Sequence, residues 1–180
     1  MTILVRKAGP ADRPAVLALL DGARGLGLSP AERAAQGFVQ GSFDEEKLAR
    51  FETTTGVYLA EDDGSELAGV ALTSPAEGAD GGPPRLTIET ARAAGLTDGV
   101  FLYGPVAVDP AHRGQGVVRR LLAGVAEHLA GYEAGVLFVE RANEKSLAVH
   151  THLGMTLLGD YTVAGRAYAV FSFDPASFRS

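Results

Sequence analysis

Apolar residues recur along this chain at two spacings, and the switches between them mark out the elements. Ile3-Leu4-Val5-Arg6 predicts a short opening strand, closed by Gly9-Pro10. Val16, Leu19, Leu20 and Ala23 then fall at helical spacing. Ser29-Pro30-Ala31-Glu32 has the form of a capping box with proline at the first helical position, so a second helix starts there. A third short helix is expected over 44–51, with Leu48 and Phe51 on one side. Two runs, 57–60 and 67–72, flank Asp62-Asp63-Gly64, whose Asp-Gly suits the tight turn of a hairpin. Residues 76–84, rich in glycine and proline, predict a flexible loop inserted within the domain.

The second half is more regular. Val100–Val108 predicts a long apolar strand ending at Asp109-Pro110. Val118, Leu121, Leu122, Val125 and Leu129 mark an amphipathic helix. Val136-Leu137-Phe138-Val139 is a continuous apolar run, as expected of a buried strand. A short helix over 144–153 ends at Gly154, a natural C-terminal glycine. Two last strands, 155–163 and 168–173, join across Ala164-Gly165. The order β-α-α-α-β-β-β-α-β-α-β-β contains no repeat. It predicts one α/β domain over residues 1–180, a mixed twisted sheet flanked by helices.

Composition narrows the function. The 180 residues carry a net charge of −6, and 46% are apolar, which is ordinary for a globular domain. Nucleic-acid binding leaves a basic footprint, and none is present. A small basic cluster, Arg113, Arg119 and Arg120, suits one compact anion instead. There is no cysteine, which excludes disulfides, thiolate nucleophiles and Cys-type zinc sites. The opening apolar run is too short for a signal peptide, and nothing approaches a membrane span. The expectation is a soluble cytoplasmic protein without nucleic-acid or membrane partners. His150 and His152, two apart on a helix, point to opposite sides and cannot share an ion, so no metal is expected.

The chemistry concentrates in the segment from Val106 to Leu122. A buried strand passes through a proline turn into Arg113-Gly114-Gln115-Gly116, which opens the amphipathic helix. Two glycines let a bulky ligand approach the backbone, and free N–H groups of the first helical turn make an anion site. The glycines alone also fit a tight strand-to-helix turn. No P-loop lysine follows, and Arg119 replaces the third glycine of a dinucleotide fingerprint.

Arg113-Gly114-Gln115-Gly116-Val117-Val118 resembles the acetyl-CoA signature of the GNAT acetyltransferase superfamily. Asn143 and the run from Ser146 to Met155 are similar to that family's second cofactor segment. The resemblance implies a GNAT-like fold and an N-acetyltransferase using acetyl-CoA, without a covalent enzyme intermediate. It implies that backbone groups of Val106 and Val108 bond the thioester and pantetheine arm. Amides of Gly114, Gln115, Gly116, Val117, Val118 and Arg119 would hold the pyrophosphate, with Arg113 supporting the turn. Asn143 would bond the pantetheine or orient the following helix; capping that helix is an equal reading. The acetyl-CoA would lie between the strands at Val100–Val108 and 136–139.

Two positions depart from the family pattern. Val118 stands where glycine or alanine is usual. His150 stands where many members carry a tyrosine that protonates the departing thiolate. At its ordinary pKa near 6.5, histidine is roughly a quarter protonated at pH 7, enough for that task. The thiol's own pKa near 8.5 makes the acid helpful rather than indispensable. Freeing a lysine-like amine of its proton at pH 7 costs about 4.6 kcal/mol, so a base is needed. Tyr103, Glu140 and a water are the candidates. Phe38, Phe43 and Phe51, with the acidic run Asp44-Glu45-Glu46, lie where such proteins often build the acceptor pocket. The acceptor is expected to be a small-molecule or peptide amine, and an exposed edge near the last strand suits a homodimer. Two alternatives stay open: a catalytically idle acyl-CoA-binding sensor, and an interaction domain that binds a protein partner.

Overall fold

Each apolar run becomes a strand: β1 (Leu4–Lys7), β2 (Gly56–Glu61), β3 (Leu67–Pro75), β4 (Val100–Val108), β5 (Ala134–Glu140), β6 (Thr156–Val163) and β7 (Arg166–Phe173). The computed structural model describes residues 2–179. The strands build one seven-stranded mixed sheet in the order β1-β2-β3-β4-β5-β7-β6. All neighbours run antiparallel except β4 and β5, which are parallel. A parallel pair needs a crossover, and the helix α5 (Val117–His128) supplies it.

Five further helices complete the two outer layers: α1 (Arg13–Gly22), α2 (Pro30–Gln36), α3 (Glu45–Glu52), α4 (Gly82–Ala93) and α6 (Glu144–His152). Helix α5 lies on one face of the sheet, where Val117, Leu121, Leu122 and Val125 are buried against Tyr58, Ala71, Phe101 and Phe171. Burying each such side chain stabilises by about 1.5–3 kcal/mol, which anchors the helix start that matters below. Close approach needs Gly69 on β3, where a Cβ would stand 2.8 Å from the Val117 side chain. Leu147 and Leu153 place α6 on this same face. Helices α1 and α3 cover Val57, Leu59, Val70 and Leu72 on the opposite face, and α4 covers Val100, Leu102 and Val136 there.

The Ser29 capping box forms as its sequence predicts. The Ser29 hydroxyl accepts from the Glu32 amide, and the Glu32 carboxylate accepts from the Ser29 amide. The expected loop over 76–84 is corrected. Residues Ala76–Gly78 make a single 3-10 turn, and α4 begins at Gly82. Pro83 and Pro84 sit in its first turn, where no N–H is required, so they start the helix instead of preventing it. Thr87, Ile88 and Ala91 are its buried face.

Candidate active site

The site arises where β4 leaves β5. The parallel pairing runs from Val100 opposite Ala134 to Leu102 opposite Val136, and goes no further. Against β3, Thr73 pairs with Tyr103 and Ala71 with Val106, so β4 carries one extra residue over that interval. The bulge falls at Gly104-Pro105, joined by a cis bond, where proline has no N–H to give a ladder. Past the bulge, Asp109 N–H donates to the Ala68 carbonyl at 2.9 Å. Hydrogen-bonded pairs alternate along an antiparallel ladder, so Ala107 also turns its main chain toward β3. Val106 and Val108 therefore present N–H and C=O to the side from which β5 has departed.

A cavity of about 250 Å³ opens in this seam and takes its walls from both faces of the sheet. Tyr103, Leu137, Val139 and His150 line it on the α5 and α6 side. Leu102, Phe138 and Glu140, one step along each strand, line it on the other. Alternation of side chains across the pleat accounts for the division.

Beside the open β4 edge stands the start of α5. Gly114 and Gly116 have φ of 76° and 77°, the left-handed region that favours glycine, and Gly116 is the N-cap. Apart from its chain neighbours, no described residue comes within 4 Å of where a Cβ on either would stand. The amides from Gly114 to Arg119 have no acceptor among the described residues, so a fan of free donors faces outward. Below the turn, Asp109 accepts from the Ala111 amide at 2.8 Å, and the Gln115 side chain donates to the Ala111 carbonyl at 3.0 Å. His112 is buried there, 3.2 Å from Asp62 of the β2–β3 turn and 3.4 Å from Asp109. Both carboxylates hold its pKa above the ordinary histidine value, Asp62 most strongly.

Arg113, Arg119 and Arg120 are exposed and form no ion pair among the described residues. Arg113 thus makes no side-chain bond to the turn that it was expected to support. Val118 packs against the core, so its departure from glycine or alanine takes no room from the mouth of the turn.

Tyr103 is buried, and its hydroxyl has no hydrogen-bond partner among the described residues. Burial pushes its pKa well above the ordinary tyrosine value, so it keeps its proton throughout the neutral range. His150 is buried too, its ring stacked on Phe171 at 6.1 Å. Its Nδ1 lies 2.7 Å from the Ser146 carbonyl, which only accepts, so Nδ1 carries the hydrogen. Nε2 is left with its lone pair and no partner among the described residues. Burial lowers the His150 pKa, the bond to Ser146 opposing only in part. The quarter-protonated ring expected from the reference pKa is therefore replaced by a neutral one, which offers a lone pair and not a proton.

Asn143 takes the capping role that its sequence allows. Its Oδ1 accepts from the Ser146 amide at 3.3 Å, capping α6, and its Nδ2 donates to the Phe38 carbonyl at 2.8 Å. It ties the loop after α2 to the start of α6. Glu140 accepts from the Gln40 amide and lies 3.8 Å from Arg166.

Phe38, Phe43 and Phe51, expected together from the sequence, all line the cavity. The acidic run does not rim it. Asp44 caps α3, and Glu46 pairs with Arg50. Gln40, Lys47, Ser74 and Pro105 line the cavity without any sequence signal having marked them. Asp62, Glu66 and His112 bring ligand-type atoms within 4.8 Å of one another, but Asp62 already accepts from two backbone amides and meets His112. No helix among the described residues is long and apolar enough to cross a membrane.

Comparison with known proteins agrees with this geometry. A family model described as the acetyltransferase (GNAT) family matches residues 29–155. Among solved structures, an N-acetyltransferase from Staphylococcus aureus Mu50 is 20% identical with a TM-score of 0.65, covering 97% of this chain and 99% of its own. The Salmonella typhimurium protein yncA, solved with its cofactor acetyl-CoA, is 19% identical with a TM-score of 0.66, covering 97% and 95%. A phosphinothricin acetyltransferase from Sinorhizobium meliloti, solved in complex with acetyl-CoA, is 21% identical with a TM-score of 0.63, covering 97% and 89%. No curated protein sequence matches the chain.

Proposed function

Because the chain belongs to the acetyltransferase (GNAT) family, we propose that it transfers the acetyl group of acetyl-CoA directly to the nitrogen of an amine. The observation that carries this reading is the pairing of two unsatisfied backbone arrays. One is the open β4 edge at Val106 and Val108, and the other is the fan of amides from Gly114 to Arg119. A long ligand with an amide-bearing arm and a pyrophosphate needs both. The open space beside Gly114 and Gly116 fits the phosphates, and the free guanidinium of Arg113 or Arg119 adds charge.

The thioester end then falls between Tyr103 and His150. Tyr103 holds its proton and has no partner among the described residues, which suits a donor to developing negative charge on oxygen or sulfur. His150, neutral with Nε2 free, suits an acceptor of the proton that the amine gives up. Glu140 faces the other side of the seam, where a cationic amine would arrive and meet its carboxylate. Direct attack needs no nucleophile from the protein, and the chain has no cysteine to offer.

Thermal unfolding tests the cofactor half. Acetyl-CoA should raise Tm by several degrees at saturating concentration, through binding to the folded state. Pantetheine, which lacks the pyrophosphate, should raise it much less. Equal shifts would remove the anion site. Release of free thiol from acetyl-CoA in the presence of an amine panel tests the transfer itself.

A further inference from the structure

On the reading that this site acetylates an amine, we infer that its acceptor is a monoamine carried on a compact apolar body of aromatic size, and not a polyamine or a lysine-rich peptide. The acceptor side of the seam is walled by Phe38, Phe43, Phe51, Pro105 and Phe138. The rings are fixed: Phe43 and Phe51 meet at 6.3 Å between centroids, and Phe138 stands edge-on to Tyr168 at 5.9 Å. Side chains locked in this way make a preformed apolar wall, which takes an apolar group with little loss of freedom.

The charges exclude a second ammonium. Among the described residues Glu140 is the one carboxylate lining the cavity, and its charge is shared between Gln40 and Arg166. It can receive one cationic nitrogen. The cavity wall carries a cation of its own, Lys47 at 4.2 Å over the Phe43 ring, and Arg33 stacks at 4.1 Å over Phe38. The acids closest in sequence are otherwise engaged, Asp44 in capping α3 and Glu46 with Arg50. A polycation would thus bury a charge without a partner and meet the like charge of Lys47 at the cavity wall. Size agrees. About 250 Å³ is space for roughly eight waters, which one ring-sized group beside the acetyl end would fill.

The test is thiol release at fixed acetyl-CoA, with 2-phenylethylamine, spermidine and a lysine-containing peptide as acceptors. The expected result is a kcat/KM for 2-phenylethylamine at least tenfold above either rival. Phe43→Glu should cut that value about tenfold and improve spermidine, with KM for acetyl-CoA unchanged. Phe43→Ala serves the same end if the glutamate variant does not fold, and should narrow the preference. Spermidine or peptide equal to or better than 2-phenylethylamine overturns the inference while leaving acetyl transfer standing. Thiol release with none of them, in protein that acetyl-CoA still stabilises, overturns the transfer reading as well.

Discussion

The two halves of the seam are made from different materials. On the α5 side the groups that would hold acetyl-CoA are main chain: the edge of β4 at Val106 and Val108, and the amides from Gly114 to Arg119. On the opposite side the groups that would meet the amine are side chains, brought from the loop after α2, from α3 and from β5. Backbone donors demand only a bulge, a helix start and glycines with positive φ, so many sequences can build the first half. The second half changes with every substitution. If the proposed reaction holds, a fixed cofactor site joined to an adjustable acceptor site is the lesson of that difference.

The largest effect expected is at Gly116, and it should fall on one half alone. Gly116→Val places a β-branched residue at φ 77°, costing roughly 1–2 kcal/mol, and sets its methyl groups in the open mouth of the turn. KM for acetyl-CoA should rise by about 10²-fold in folded protein, with KM for the amine nearly constant. A rise in both would show that the halves are not separate.

His150 belongs to the junction, so its loss should appear in kcat. His150→Phe keeps the stack on Phe171 but removes the free Nε2, and kcat should fall by between roughly tenfold and 10²-fold, the low end for proton-transfer catalysis. The pH dependence fixes its role. The folded pKa lies below the ordinary 6.5, so the neutral ring is fully present above pH 6.5 and activity is lost as pH falls through the lowered value. That acid limb should vanish in the phenylalanine variant. An unchanged kcat and profile would leave His150 as packing.

Asn143 sharpens the comparison with the smallest effect. It lies within the segment that resembles a cofactor motif, yet its Nδ2 holds the Phe38 carbonyl of the acceptor wall. Asn143→Ala should lose a cap and a buried hydrogen bond, about 2 kcal/mol of unfolding free energy together. KM should rise a few-fold for the amine and not for acetyl-CoA. The reverse split would return Asn143 to the cofactor.

The main-chain half was legible in the sequence because glycine spacing and the strand before it encode backbone shape directly. Arg113-Gly114-Gln115-Gly116 predicts a glycine turn with free amides at a helix start, and that geometry forms among the described residues. What the pattern hid has physical reasons. Val100–Val108 reads as one continuous strand, since an apolar run does not record the extra residue at Gly104-Pro105. Helix α4 was hidden behind Gly81-Gly82-Pro83-Pro84, residues that usually break helices but here occupy its first turn. Gln40 meets Glu140 from a hundred positions away, a contact only the tertiary fold creates. The charge of His150 is set by burial, which composition and spacing do not contain.

The seam between β4 and β5 passes from one face of the sheet to the other, and that sets the traffic of the proposed reaction. If acetyl-CoA lies along the β4 edge and the start of α5 while the amine comes from the face of Phe138 and Glu140, the two meet only at the thioester and neither stands in the other's path.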